Sequence, residues 1–229
     1  MSNFNKIPLH TAAVIAGISL LAMVIAAPFA ELYVLPKLIV SSNAAETAKN
    51  LVANKTLFVS GIFGYLITFI CDIVVAWALY ILLKPTSPDL SLLTALFRWI
   101  YTGIALVSLL NLVNVFWLLK NPDSLPGFTS DQLHVQMMLL IKAFRSGFRF
   151  GIILFAIHLL LLGYLIFKSN YIPRILGVLL VITGLGYLLT STEPYLFPNV
   201  NVDFAQFTFY GELIFMLWLI IRGSRIKEP

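Results

Sequence analysis

Apolar residues run in six long blocks along this chain, at about residues 9–36, 57–83, 90–119, 148–167, 173–192 and 206–221, with polar residues gathered between them. Lipid offers no hydrogen-bonding partner to a bare backbone, so blocks of this length read as transmembrane helices, which satisfy their own N–H and C=O groups. The pattern predicts an all-α fold: a polytopic bundle of six transmembrane helices forming a single integral membrane domain over residues 1–229.

Details of the pattern sharpen this picture. The first block has a signal-peptide alternative, with Lys6 in front of it and small residues at Ala26 and Ala27, but Pro28 and the length of the run favour a retained span. The polar stretch Ser41 to Thr56 reads as a short external helix or ordered loop; its Asn54-Lys55-Thr56 matches a glycosylation sequon, which means nothing if the source is bacterial. Before the fourth block lies a less apolar stretch, Asp131 to Phe148. One straight helix over both would be about 55 Å long, more than a bilayer. Gly147 and Gly151 are therefore expected to mark a bend or a close-packing site, with the earlier part at the outer interface. Tyr171-Ile172-Pro173-Arg174 makes a tight inner connection, proline opening the fifth helix, and Gly177 and Gly184 share a face that a neighbour can approach.

Composition agrees with the pattern. Hydrophobic residues make up 60% of the chain and charged residues 11%, with mean hydropathy +0.94, which excludes an ordinary soluble domain. The net charge of +5 is dispersed among apolar spans, so it argues for membrane topology and not for nucleic-acid binding. With the N-terminus inside, eight basic residues (Lys6, Lys84, Arg98, Lys168, Arg174, Arg222, Arg225 and Lys227) fall on or near the inner side, against four outside (Lys37, Lys49, Lys55 and Lys120). The positive-inside rule then places both termini in the cytoplasm. Cys71 is the single cysteine, so no intrachain disulfide and no cysteine-based zinc site can form.

The chemistry worth testing lies at mid-bilayer depth. Asp72 precedes Lys84 by 12 residues, and His158 and Glu212 precede Lys168 and Arg222 by 10 each. All three thus sit roughly 15–18 Å from the inner boundary. A charge there costs several kcal/mol if unpaired, so each needs a partner. Gly61, Tyr65, Thr68 and Asp72 follow at helical spacings and share one face, which should point inward. One reading is a buried titratable cluster able to hold or pass a proton; the plainer one is a hydrogen-bonded network fixing helix packing. Arg98, on the third span, either snorkels to the inner surface or reaches Asp72. No spacing favours a metal site or any cofactor, and no phosphate loop, nucleophile elbow or nucleotide fingerprint occurs.

A second cluster is expected at the outer boundary. Lys142, Arg145 and Arg149 share a face at spacings of three and four, Asp131 lies on the same stripe, and Glu31 on the first span reaches a comparable height. A salt bridge from Glu31 to Arg145 or Arg149 is the simplest use; a site for an anion or lipid headgroup is the functional alternative. His10 and His134 should be solvated, and Asn111 and Asn114 are candidates for hydrogen bonds across helices.

Several stretches, Ala16 to Pro36, Phe69 to Pro85 (FICDIVVAWALYILLKP), Leu92 to Leu110 and His158 to Tyr187 (HLLLLGYLIFKSNYIPRILGVLLVITGLGY), resemble the bacterial membrane family catalogued as Domain of Unknown Function 4386. The resemblance spans nearly the whole chain. It implies a bacterial integral membrane protein of this fold, expected in the inner membrane, and supplies no activity or catalytic residues. The sequence thus points first to a membrane protein without enzymatic activity, serving in binding, sensing or assembly. The expected partners are the lipid bilayer and a small molecule, a lipid headgroup or another membrane protein. Rival readings are a small proton-coupled transporter and an intramembrane enzyme using Asp72, His158 and Glu212.

Overall fold

The structure is a computed structural model that describes residues 7–120 and 127–227; Lys6, counted above on the inner side, lies outside them. All regular structure among the described residues is helical. Six helices are long and apolar enough to cross a membrane: α1 (Leu9–Leu38), α3 (Lys55–Leu83), α4 (Pro88–Lys120), α5 (Ser130–Lys168), α6 (Arg174–Leu196) and α7 (Asp203–Arg225). A short helix, α2 (Ala44–Ala53), lies between α1 and α3. It forms where the polar stretch predicts order: the Asn43 side chain caps it, accepting the Glu46 N–H at 2.9 Å.

Two helices depart from the sequence pattern in a way that bears on the sites. α1 widens into a π-helical stretch at Phe29–Val34. Pro28 and Pro36 flank this stretch and lack backbone N–H groups, so the i→i−4 ladder is interrupted at both ends. α5 runs from Ser130 to Lys168 as one α-helix, where the apolar pattern alone marks 148–167. Its hydrogen-bonded register passes through Gly147 and Gly151. Gly147 serves as a close-packing site: a Cβ there would run into the Ser108 hydroxyl.

The chain forms two compact units. The first comprises the residues up to Leu21, Cys71–Thr102 and everything from Arg149 onward, and so holds all of α6 and α7. Its helices meet through glycines. A Cβ on Gly163 would lie 2.6 Å from the Gly177 carbonyl oxygen, and one on Gly177 would lie 2.5 Å from that of Gly163, so α5 and α6 touch backbone to backbone. Gly184 meets the Ala156 carbonyl, Gly211 meets Leu179 and Thr183, and Gly17 meets Leu219 and Ile220. At the α5–α6 connection the Tyr171 hydroxyl donates to the Leu82 carbonyl at 2.7 Å. Its one proton is then used, so the contact with Thr86 at 3.1 Å is the threonine hydroxyl donating. Burial pushes the Tyr171 phenol up from its ordinary value, keeping it a neutral donor.

The second unit comprises Ala22–Ile70 and Gly103–Phe148. Gly61 lies against Val34 and Gly64 against the Ala26 carbonyl, which brings α1 and α3 together. Its core is aromatic, with the Tyr65 ring 5.1 Å from Phe144 and 6.4 Å from Phe148, centroid to centroid, and Phe69 stacked on Tyr65 at 6.1 Å.

Candidate functional site: a buried arginine centre

Within the first unit, α3, α4 and α5 bring Asp72, Arg98 and His158 together. Their exposures are 1%, 1% and 0%, so the centre is closed. Arg98 follows Pro88 by 10 residues and therefore reaches the same depth, roughly 15 Å in from the start of α4, as its two partners. It does not snorkel. Its Nε and Nη2 both donate to Asp72 Oδ1, at 2.8 Å and 2.5 Å. The Cζ atom lies 5.0 Å from the centre of the Phe155 ring, a cation–π contact in a place that water does not compete for.

The hydrogen-bond directions around His158 are decided by its neighbours. Nδ1 lies 2.8 Å from the Thr94 carbonyl oxygen, which can only accept, so Nδ1 carries the proton. Nε2 lies 3.3 Å from Arg98 Nη1, which can only donate, so Nε2 offers its lone pair. An imidazole with one N–H and one lone pair is neutral. His158 therefore orients Arg98 without adding charge, and Phe155 stacks against its ring with centroids 5.7 Å apart.

Glu212 completes the electrostatic surroundings from α7. It is partly buried, it interacts with the Tyr187 hydroxyl, and it lies close enough to feel the charges of Arg98 and Asp72. Tyr101 on α4 is close to Asp72, Arg98 and Glu212 alike, and its ring packs 4.9 Å from Phe155. Asp72 Oδ2 is buried and has no hydrogen-bond partner. No group of three or more His, Cys, Asp or Glu residues suited to a metal ion occurs among the described residues.

Thr94, Tyr101, Phe155 and Tyr187 belong to this centre, and none was singled out by sequence. The signal was present for each. Thr94, Arg98 and Tyr101 follow at spacings of four and three on α4, Phe155 precedes His158 by three on α5, and Tyr187 continues the Gly177–Gly184 face.

In the second unit the expected salt bridge from Glu31 to Arg145 is not formed. The Glu31 carboxylate accepts instead from the Tyr65 hydroxyl, a bond between α1 and α3 made within the π-helical stretch. The reason lies in the faces: Tyr65 is 2% exposed and packed among aromatic rings, whereas Arg145 is exposed on α5. Lys142 and Asp131 are exposed as well, as is Arg149 in the first unit. Asn111 turns back onto its own helix, its amide donating to the Ser108 carbonyl at 3.0 Å, and Asn114 is exposed. His10 is exposed as expected, but His134 is half-buried with Nδ1 buried and unpartnered.

A family model described as Domain of unknown function (DUF4386) matches residues 15–223. The chain belongs to this family. The match takes in both units and every residue of the arginine centre in this DUF4386 chain. A relative from Archaeoglobus fulgidus, described as an uncharacterized protein, is 34% identical over 168 residues, which is 73% of this chain and 86% of the relative. No solved structure matches the chain.

Proposed function

We propose that this DUF4386 protein is a non-enzymatic binding protein of the cell membrane, in which the arginine centre locks the bundle and an outer basic face of α5 meets an anionic lipid headgroup. The observation that carries the reading is the position of Arg98, bonded on one side to Asp72 and on the other to His158. A guanidinium does not give up its proton, and this one fills the space that a reacting group would need between the two. That counts against an intramembrane enzyme built on Asp72, His158 and Glu212. Exposures of 1% and 0% at Asp72 and His158 count against an open carrier route through them.

The lipid reading rests on height and charge. Counting 20 residues back from Lys168 crosses about 30 Å and reaches Phe148, so Lys142 and Arg145 stand just past the hydrocarbon, exposed, on one face. Basic residues in that position suit phosphate-bearing heads. The wild type and a Lys142→Gln/Arg145→Gln double variant can be placed in nanodiscs of mixed zwitterionic and anionic phospholipid. Native mass spectrometry should then find anionic lipid retained by the wild type and released by the variant. Equal retention would sink the headgroup reading.

For orientation, we propose both termini and the connections at Lys84 to Leu90 and Lys168 to Arg174 on the cytoplasmic side of a bacterial inner membrane. The charge asymmetry supports it, and an even number of spans puts both ends on one side. In a Cys71→Ser background, a cysteine placed at Ala45 should react with an impermeant external thiol reagent and one at Asn170 should not. The opposite pattern would invert the topology.

A further inference from the structure

We infer that the junction of α5 and α6 is a binding site for an anionic phospholipid, whose phosphate is held between Lys168 and Arg174 and whose acyl chains lie on the apolar side chains beside them. The site is separate from Lys142 and Arg145 and does not depend on the reading of them given above.

Two positive side chains are brought together here. Lys168 ends α5 and Arg174 begins α6. Lys168 Nζ lies over the Tyr164 ring, 5.6 Å from its centre, and the Arg174 guanidinium reaches across from α6 to lie 5.6 Å from the centre of the Phe167 ring on α5. Tyr164 and Phe167 are three residues apart, so their rings are neighbours on one helix face and the two cations stand next to each other. Main chain enforces the arrangement: a Cβ on Gly177, three residues into α6 from Arg174, would meet the Gly163 carbonyl oxygen and the Phe167 backbone. Like charges held this way repel unless an anion lies between them.

No carboxylate of the described chain supplies that anion. Lys168 and Arg174 are exposed, neither forms an ion pair among the described residues, and the connection from one to the other contains no acidic residue. The Tyr171 hydroxyl meets the Leu82 carbonyl and Thr86, which flank Lys84, so a third exposed cation belongs to the same rim, its Nζ 5.5 Å from the centre of the Tyr80 ring. Asp89, exposed in the first turn of α4, is the one acid between Lys84 and Leu90, and the rim stays positive.

The neighbours identify the anion as part of a lipid. Tyr164, Phe167, Ile175 and Val178 are all exposed and lie within about one helical turn of the two cations. A free phosphate would leave these side chains uncovered, whereas a phospholipid sets its phosphate at the helix ends and its chains a turn deeper. The planar guanidinium suits two phosphate oxygens and the ammonium a third, and a zwitterionic headgroup would bring a competing positive charge of its own.

Photo-crosslinking in nanodiscs tests this. Benzoylphenylalanine placed at Val178, one turn into α6 from Arg174, captures the lipid lying there, and mass spectrometry of the adduct identifies it. With phosphatidylglycerol as a minority component in phosphatidylcholine, the adduct of the otherwise wild-type protein should contain phosphatidylglycerol enriched roughly tenfold over its share of the bilayer. Lys168→Gln/Arg174→Gln should return the adduct to the bilayer share. Lys142→Gln/Arg145→Gln should leave the enrichment intact, which separates failure of this site from failure of the headgroup reading above. Should the first double variant fail to fold, Lys168→Gln and Arg174→Gln singly should each lower the enrichment. A wild-type adduct at the bilayer share, enrichment indifferent to both Lys168 and Arg174, or its loss when inorganic phosphate replaces chloride at constant ionic strength, which would make the ligand free phosphate, would overturn the proposal.

Discussion

Arg98→Met is expected to cost about 3–5 kcal/mol of stability, because it leaves the Asp72 carboxylate charged and alone in the interior. Asp72 is 1% exposed and takes two N–H groups from Arg98 on one oxygen. Arg98→Lys should fare little better. An ammonium cannot donate in two directions from one plane, so it cannot serve Asp72 Oδ1 and His158 Nε2 together while stacking on Phe155. The double variant Asp72→Leu/Arg98→Met removes both charges and should recover much of the loss, since buried ion pairs are replaced by apolar groups at little cost. Thermal unfolding in detergent, read by dye accessibility at Cys71, measures all three together with the single Asp72→Leu; a double variant as unstable as the sum of Asp72→Leu and Arg98→Met would show that the pair is not coupled.

The second large effect belongs to the contact between α5 and α6. Gly163→Leu or Gly177→Leu should prevent the helices from docking, because the first atom of any side chain at either place meets a backbone carbonyl oxygen of the other helix at 2.6 Å or 2.5 Å. Overpacking typically costs 1–3 kcal/mol where side chains can give way, and here the obstacle is main chain, so about 3 kcal/mol or more is expected. Gly103→Ala is the matching control. It is a helical glycine, exposed, with no atom within 4 Å of a built Cβ, so alanine should be neutral or stabilise by about 0.5–1 kcal/mol. Yield of monodisperse protein after gel filtration separates these outcomes, and a well-folded Gly177→Leu protein would refute the close contact.

Much of the centre was within reach of helical spacing. The Gly61–Tyr65–Thr68–Asp72 stripe is indeed a buried face, and the equal depths of Asp72, His158 and Glu212 follow from counting residues to a basic boundary. Arg98 is at that depth too, 10 residues after Pro88, but an arginine near a helix end reads equally well as a snorkelling one. Which applies depends on whether a carboxylate on another helix stands within a few ångströms, and that is a property of packing. The same limit explains Glu31: its height was legible, but its partner was decided by Tyr65 standing across the π-helical stretch, a local widening that ordinary periodicity does not reveal.

The sequence by itself determined the number of apolar spans, the helical fold and the family, because these follow from chain length, hydrophobicity and the residues of the apolar runs. Tertiary structure alone decided which helix faces meet. Rotation about a helix axis and the choice of neighbour turn on contacts between residues far apart in the chain, such as Gly163 with Gly177 and Arg98 with Asp72. Those contacts set whether a buried charge is paired, and pairing is what makes Arg98 the residue around which Asp72 and His158 are arranged.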